Sequence, residues 1–308
     1  MMINSKDLIC FFNKNKISFF TGVPDSVLKT LSPFFNKNNH IIAANEGNAI
    51  SIAMGYHLAT KELPCAYLQN SGLGNAINPL ASIAHSKVYS IPMLLLIGWR
   101  GSPNLQDEPQ HMVKGKITRQ LLDLLDIKYC IIRNKKDFIK LNKIIKFSKK
   151  KRKPVACLVE NKILQGKKKL IKKKEDYSKL KRADVIEQII KNIKVKTNII
   201  ATTGFTSREL MQIRKKGNYK NSNDFYMVGG MGHSASVSLG VSLNTNKQTI
   251  CLDGDGSLLM HFGSMATVGF FAKKNFKHIL LNNNSHESVG EQITNANKIN
   301  FKNICQGL

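Results

Sequence analysis

The chain has 308 residues, 42% of them hydrophobic, and a net charge of +27. That length suits two domains with cores of their own. The longest apolar run, Ile91 to Ile97, is too short to cross a bilayer, and the start, MMINSKDLICFFNKNK, lacks the apolar core and cleavage site of a signal peptide. Most of the excess charge is lysine, concentrated between Lys143 and Lys181 with few Arg or aromatic side chains to grip bases. The charge invites a nucleic-acid reading, the missing readout residues argue against it, and the charge still suits attraction of a small anion. Six cysteines (Cys10, Cys65, Cys130, Cys157, Cys251, Cys305) form no CxxC pair, and four fall in expected strands. They read as small core residues of a reducing cytoplasm, not as a disulfide frame or zinc site.

Strands and helices alternate from the start, the pattern of parallel sheets built from βαβ units. Ile17 to Phe20 is the first expected strand, and Asp25 or Ser26 in the turn TGVPDS is placed to cap a following helix. After the short strand His40 to Ala44, Asn45-Glu46-Gly47-Asn48 opens a helix in which Ala49, Ile52, Ala53 and Tyr56 recur at helical spacing. By itself Glu46 is also a plain first-turn acid complementing the helix dipole. The strand Pro64 to Gln69 runs into NSGLGN, a loop that a ligand can approach closely, though a simple connection would look the same. Ile91 to Gly98 leads into Trp99-Arg100-Gly101 and a polar loop, Ser102 to Gly115, that contains Asp107 to His111. Arg100 suits an oxyanion such as a carboxylate and His111 suits proton transfer, while a surface ion pair and an ordinary loop histidine remain the alternatives. A helix Ile117 to Leu125 and strands Lys128 to Ile132 and Pro154 to Val159 complete a first domain, residues 1–162. Residues 163–181 read as a charged, solvated linker.

The second domain, 182–308, has expected strands at Asn198 to Ala201, Phe225 to Val228, Thr249 to Leu252 and His278 to Leu281. The first ends in Thr202-Thr203-Gly204, a seat for an anion, and the second in Gly229-Gly230-Met231-Gly232. The third ends in Gly254-Asp255-Gly256-Ser257 and the fourth in Asn282-Asn283-Asn284. Asp255 offers a hard carboxylate oxygen and Asn283 an amide oxygen, a set that suits Mg²⁺ shared with a diphosphate. Gly256 and Ser257 open a helix whose free N–H groups face the same diphosphate. Gly-Asp-Gly alone is equally a strand-to-helix turn; the Asn-Asn at the next strand end is what sets it apart.

GDG followed some two dozen residues later by NN resembles the binding motif of thiamine diphosphate enzymes. HFGSMATVG, NNNSHESVGEQ, GVPDS, GWRG with DEPQH, and TTGFTSREL resemble the phosphonopyruvate decarboxylase family within it, with the sulfopyruvate decarboxylases as near relatives. The resemblance implies an α/β protein of two doubly wound parallel-sheet domains, one for the pyrimidine and one for the diphosphate, with no middle domain. It implies thiamine diphosphate and Mg²⁺ as cofactors, the metal held by Asp255, Asn283 and the carbonyl of Ser285. Asn284-Ser285 stand where Gly-Ala is usual and Glu291 where a second Gly is usual. The resemblance also makes Glu46 the carboxyl that serves the aminopyrimidine, and Met231, between Gly230 and Gly232, the apolar support for the bent cofactor, where a core methionine is the bland reading. Asn70, Ser71, Thr203, Gly204, Gly254, Gly256 and Ser257 become cofactor contacts. Asp25, Ser26, Arg100 and His111 become substrate contacts, with His111 and the His286 of HESVG as further proton-transfer candidates. The activity implied is decarboxylation of 3-phosphonopyruvate to phosphonoacetaldehyde and CO₂ by a cytoplasmic homo-oligomer; a sulfopyruvate decarboxylase or an inactive protein is the alternative. Relatives continue beyond the metal motif, so we expect a second domain that lacks its last elements and leaves a sheet edge uncovered.

Overall fold

The computed structural model describes residues 2–103, 105–166, 180–193, 196–219 and 223–308. Its chain divides into two compact units, residues 1–171 and 172–308. The division falls within the stretch read as linker, of which residues 167–179 lie outside the described residues. One part of that stretch is not linker. Leu164–Gln165 forms a short strand, parallel to Ile3–Asn4, and Leu164 is buried in the first unit.

In the first unit a six-stranded, all-parallel sheet is formed by β1 (Phe20–Gly22), β2 (His40–Ile42), β3 (Cys65–Gln69), β4 (Leu94–Trp99), β5 (Lys128–Ile132) and β6 (Val155–Glu160). The order is β2-β1-β3-β4-β6-β5. The central strands are apolar runs because both of their faces are covered. Leu94 and Leu96 join one core with Tyr67, Cys157, Leu8 and Phe12 of helix α1 (Ser5–Lys14). Leu95 and Ile97 join the opposite core with Leu68 and Leu158. That face is closed by Ile50 and Ala53 of α2 (Glu46–Thr60), Leu73 and Ala76 of α3 (Leu73–Pro79), and Leu122 of α4 (Pro109–Leu124). Helix α5 (Phe138–Lys151) packs Leu141 and Ile145 on the first face.

Several sequence boundaries shift. The first strand starts at Phe20 rather than Ile17, and β4 at Leu94 rather than Ile91. No helix directly follows Asp25: its carboxylate accepts from the N–H groups of Val27 and Leu28 at 3.1 and 3.2 Å, and a turn follows. The polar loop expected over 102–115 is half helix. Helix α4 begins at Pro109, whose fixed φ suits a first turn, and so His111 stands on that turn.

The second unit has a four-stranded parallel sheet of β7 (Asn198–Ala201), β8 (Asn223–Tyr226), β9 (Thr249–Gly254) and β10 (Phe276–Leu281), in the order β8-β7-β9-β10. One face carries α6 (Arg182–Asn192) and α7 (Phe205–Lys216) through Ile186, Ile190 and Leu210. The other carries α8 (Ser234–Leu243) and α9 (Ser264–Phe271) through Ala235, Leu239, Met265 and Val268. β10 is an edge strand among the described residues, and its Ile279, Leu280 and Leu281 are only half-buried. Beyond it come a two-stranded antiparallel hairpin, Ser285–His286 with Gln292–Ile293, and the helix Phe301–Gln306.

Candidate active site

In each sheet the chain reverses its winding direction after the second strand, and the crevice at such a switch point, at the carboxyl ends of the strands, is where an open α/β sheet receives ligands. In the first unit the chain leaves β1 for the edge strand β2 and returns to β3, so the switch lies between β1 and β3. Asp25 follows β1 and is buried against Gly98, whose place a side chain would contest: a Cβ there would lie 1.8 Å from Asp25 Oδ2. Gln69 at the end of β3 donates through Nε2 to Asp25 Oδ1 at 2.8 Å and to Ser26 Oγ at 3.2 Å. Burial raises the Asp25 carboxyl above its ordinary range, opposed by these hydrogen bonds and by Arg100.

Glu46 opens α2 and is 5% exposed. Its Oε2 accepts from Asn75 Nδ2 at 2.8 Å, and its Oε1 lies over the backbone of Gly72. Burial raises this carboxyl too, with Asn75 and the charge of Lys114 acting the other way. The Arg100 guanidinium is clasped by Asp107 through Nε, at 2.6 Å, and Nη2, while Nη1 reaches Ser26 Oγ at 3.3 Å. The same pairing holds the Asp107 carboxyl far below its usual range. His111 Nε2 lies 3.6 Å from Glu108 Oε2, and its Nδ1 is buried with no partner among the described residues. Burial, then the neighbouring Arg100, lowers its pKa and favours the neutral ring. The Asn70 amide donates to the Arg100 carbonyl at 2.9 Å and Thr118 Oγ1 at 3.0 Å and accepts from Arg100 N at 3.0 Å. The buried side chain thereby ties β4 to α4. Ser71 Oγ donates to Gln69 Oε1 at 2.7 Å, and Lys114 Nζ reaches the Ser71 carbonyl at 3.2 Å.

In the second unit the switch lies between β7 and β9, which brings Thr202-Thr203-Gly204 beside Gly254-Asp255-Gly256. Thr202 Oγ1 and Ser257 Oγ are 2.8 Å apart, and Gly232 N donates to Ser257 Oγ at 3.1 Å, so three strand ends converge on one serine. Gly204 and Gly232 have φ of +95° and +92°, the left-handed region that glycine enters without strain. Asp255 is 2% exposed and accepts from Thr294 Oγ1. Asn283 Oδ1 accepts from Ser285 N at 3.0 Å in a tight turn, while its Nδ2 donates to Glu287. The His286 ring lies over Gly256, where a Cβ would stand 2.9 Å from Nδ1 and 3.4 Å from the methyl of Met231. Burial lowers the His286 pKa, with Asp255 opposing.

These donors fit a diphosphate with a hard divalent cation and a base with a protonatable ring nitrogen. The oxygens of Asp255 and Asn283 are hard ligands, Ser285 Oγ in the turn with Asn283 is buried with no partner among the described residues, and Glu46 is a buried carboxyl of raised pKa. Gln69, Asn75, Asp107 and Lys114 belong to the same arrangement but were not singled out from sequence. Asp107 and Lys114 lie in the polar stretch after Arg100 and Asn75 in NSGLGN, whereas Gln69 carried no signal beyond its place at a strand end.

Comparison with known proteins agrees. Residues 5–122 match the thiamine pyrophosphate enzyme N-terminal binding domain, and residues 200–305 match its C-terminal binding domain. The phosphonopyruvate decarboxylase of Streptomyces viridochromogenes is 32% identical over 99% of this chain and 79% of its own length. The sulfopyruvate decarboxylase of Methanosarcina acetivorans is 28% identical over 91% of this chain and 76% of its own. The sulfopyruvate decarboxylase subunit beta of Methanocaldococcus jannaschii is 36% identical over 41% of this chain and 65% of its own. With both binding domains in order on two parallel sheets, and homology running almost end to end, the chain belongs to the phosphonopyruvate decarboxylase family of thiamine pyrophosphate enzymes.

Proposed function

We propose that this protein decarboxylates 3-phosphonopyruvate to phosphonoacetaldehyde and CO₂ and uses Mg²⁺ with thiamine diphosphate. The observation that carries this reading is the Glu46 carboxyl, buried at a helix start, pressed on Gly72 and oriented by Asn75. A carboxyl there can hold a proton near neutrality and exchange it with a ring nitrogen. Thiamine diphosphate, when bound, supplies the electron sink for the pair left by departing CO₂. Asp255, Asn283 and the carbonyl of Ser285 are the ligands we assign to the metal. Thr203, Gly204, Gly254, Gly256 and Ser257 are assigned to the diphosphate, and Gly230, Met231 and Gly232 to the rest of the cofactor.

For the substrate we assign Asp25, Ser26, Arg100 and His111, and add Gln69 and Lys114. The Arg100 side chain is largely covered, 17% exposed, and already balanced by Asp107. It presents a fixed, oriented fork to an anion instead of a freely moving charge. The neutral His111 ring, whose Nδ1 has no partner among the described residues, and the neutral His286 ring are the groups we assign to proton movement. The same reading takes the protein to be a cytoplasmic homo-oligomer; no described helix is long and apolar enough to cross a membrane. The test is product identification from phosphonopyruvate with and without added thiamine diphosphate and Mg²⁺, beside sulfopyruvate. Phosphonoacetaldehyde formed only with the cofactor is the expected result. Faster CO₂ release from sulfopyruvate would move the assignment to that acid, and no release from either would reject it.

A further inference from the structure

Outside the residues assigned above, one cluster stands apart. Cys251 and Asp253 are two residues apart on β9, so their side chains share a face of the sheet, and His278 on β10 is the register partner of Cys251. The thiol sulfur, a carboxylate oxygen and an imidazole nitrogen all lie within 4.8 Å of one another. His278 Nε2 is 3.3 Å from Asp253 Oδ2. Cys251 and Asp253 are 0% and 1% exposed, and the His278 side chain is 12% exposed. Cys251 belongs to the apolar layer made by Ala235, Leu239, Leu258, Met265 and Val268, an unusual place for three polar groups to converge.

We propose that Cys251, Asp253 and His278 form a binding site for zinc, separate from the cation site assigned to Asp255 and Asn283. The donor set of one thiolate, one carboxylate and one imidazole matches zinc's preference for sulfur and nitrogen, whereas Mg²⁺ takes oxygen. Thiolate and carboxylate together cancel the ion's charge, so a neutral centre would sit in the apolar layer. Three protein ligands leave the fourth tetrahedral position for water, and the partly exposed His278 on the edge strand marks the side from which ion and water enter. An ion here would tie β9 to β10, the strands that end in Asp255 and in Asn282-Asn283-Asn284.

The test uses the full chain with the two exposed cysteines removed, Cys10→Ser and Cys305→Ser. Titration with Co²⁺ should give one equivalent with a thiolate-to-cobalt charge-transfer band, displaced by Zn²⁺, and Zn²⁺ should raise the Tm. Adding Cys251→Ser should abolish the band and the Tm rise; adding Asp255→Asn should leave both. Absence of the band in the parent, its persistence in Cys251→Ser or its loss in Asp255→Asn would each overturn the site. If Cys251→Ser does not fold, His278→Gln replaces it: zinc affinity should fall by about 10-fold or more, and an unchanged affinity overturns the proposal.

Discussion

Gly72→Ala isolates the link between backbone packing and proton chemistry. Gly72 has φ −91° and ψ −1°, which alanine adopts without strain, so the only new element is a methyl group. Its carbon would lie 1.8 Å from Glu46 Oε1, 2.2 Å from Cδ and 2.7 Å from Cγ, all well inside contact distance. The backbone of Glu46 cannot easily yield. Asn45 caps the helix through Asn48 N at 2.9 Å, and Gly47 is close enough to the Asn75 carbonyl that a Cβ would sit 2.9 Å from it. The Glu46 side chain must therefore swing and give up its 2.8 Å bond to Asn75. Overpacking of this kind costs about 1–3 kcal/mol of stability. Loss of a placed acid–base group costs turnover about 10²- to 10⁴-fold. Gly55→Ala, on the same helix with open space around it, is the control and should gain about 0.5–1 kcal/mol. Urea unfolding and steady-state CO₂ release measure both effects. Full turnover by a folded Gly72→Ala variant would refute the assignment of Glu46.

Glu46→Gln should bind thiamine diphosphate and Mg²⁺ in calorimetry while losing about 10²- to 10⁴-fold in turnover. Burial holds the Glu46 carboxyl above its usual 4.5, so the stability it contributes is complete below that pH and lost as pH rises through the folded-state value. Unfolding across pH should show that loss in the parent and not in Glu46→Gln. Asp107 behaves in the opposite sense: Arg100 lowers its pKa, so its stability is present above the usual 3.8 and disappears as pH falls. Asp107→Asn should cost about 1–2 kcal/mol at neutral pH and little in strong acid, and an equal cost at both would rule out the ion pair as its source. Asp255→Ala should lose Mg²⁺-dependent cofactor binding in calorimetry, and retained affinity would remove Asp255 from the metal.

The strands were legible wherever burial on both faces left an unbroken apolar run, as in Leu94 to Ile97 or Val155 to Val159, because no alternative element can hide such a run. Boundaries failed where polar residues hide regular structure. Asp-Glu-Pro-Gln-His looks like loop, yet proline at the first helical position starts α4, and Gly115 is fixed there because its missing side chain lets the Gly101 carbonyl approach within 1.6 Å of where a Cβ would stand. The Leu164–Gln165 strand was invisible for another reason: its partner, Ile3–Asn4, lies at the opposite end of the unit in sequence, and neither segment is long enough to show a period.

Site residues divide along the same line. The places of Glu46 and Asp255 at helix starts were legible because a backbone feature, a cap or a glycine-flanked turn, marks each position. Groups that act through a neighbour left no such trace. Gln69 gains meaning only when β1 and β3 lie side by side and its amide meets Asp25, and Asn75 only when α3 turns toward α2. Asn70 shows the converse: a polar residue next to a glycine-rich loop reads as a ligand contact, and register adds a structural duty that the sequence hides, because the carbonyl and N–H of Arg100 come within reach of its amide. The same logic governs Cys251, Asp253 and His278, since a Cys-x-Asp spacing carries no metal signature until a parallel partner strand sets a histidine opposite. Sequence motifs thus reveal ligands carried on one turn of chain, while ligands assembled across strands become visible only through register.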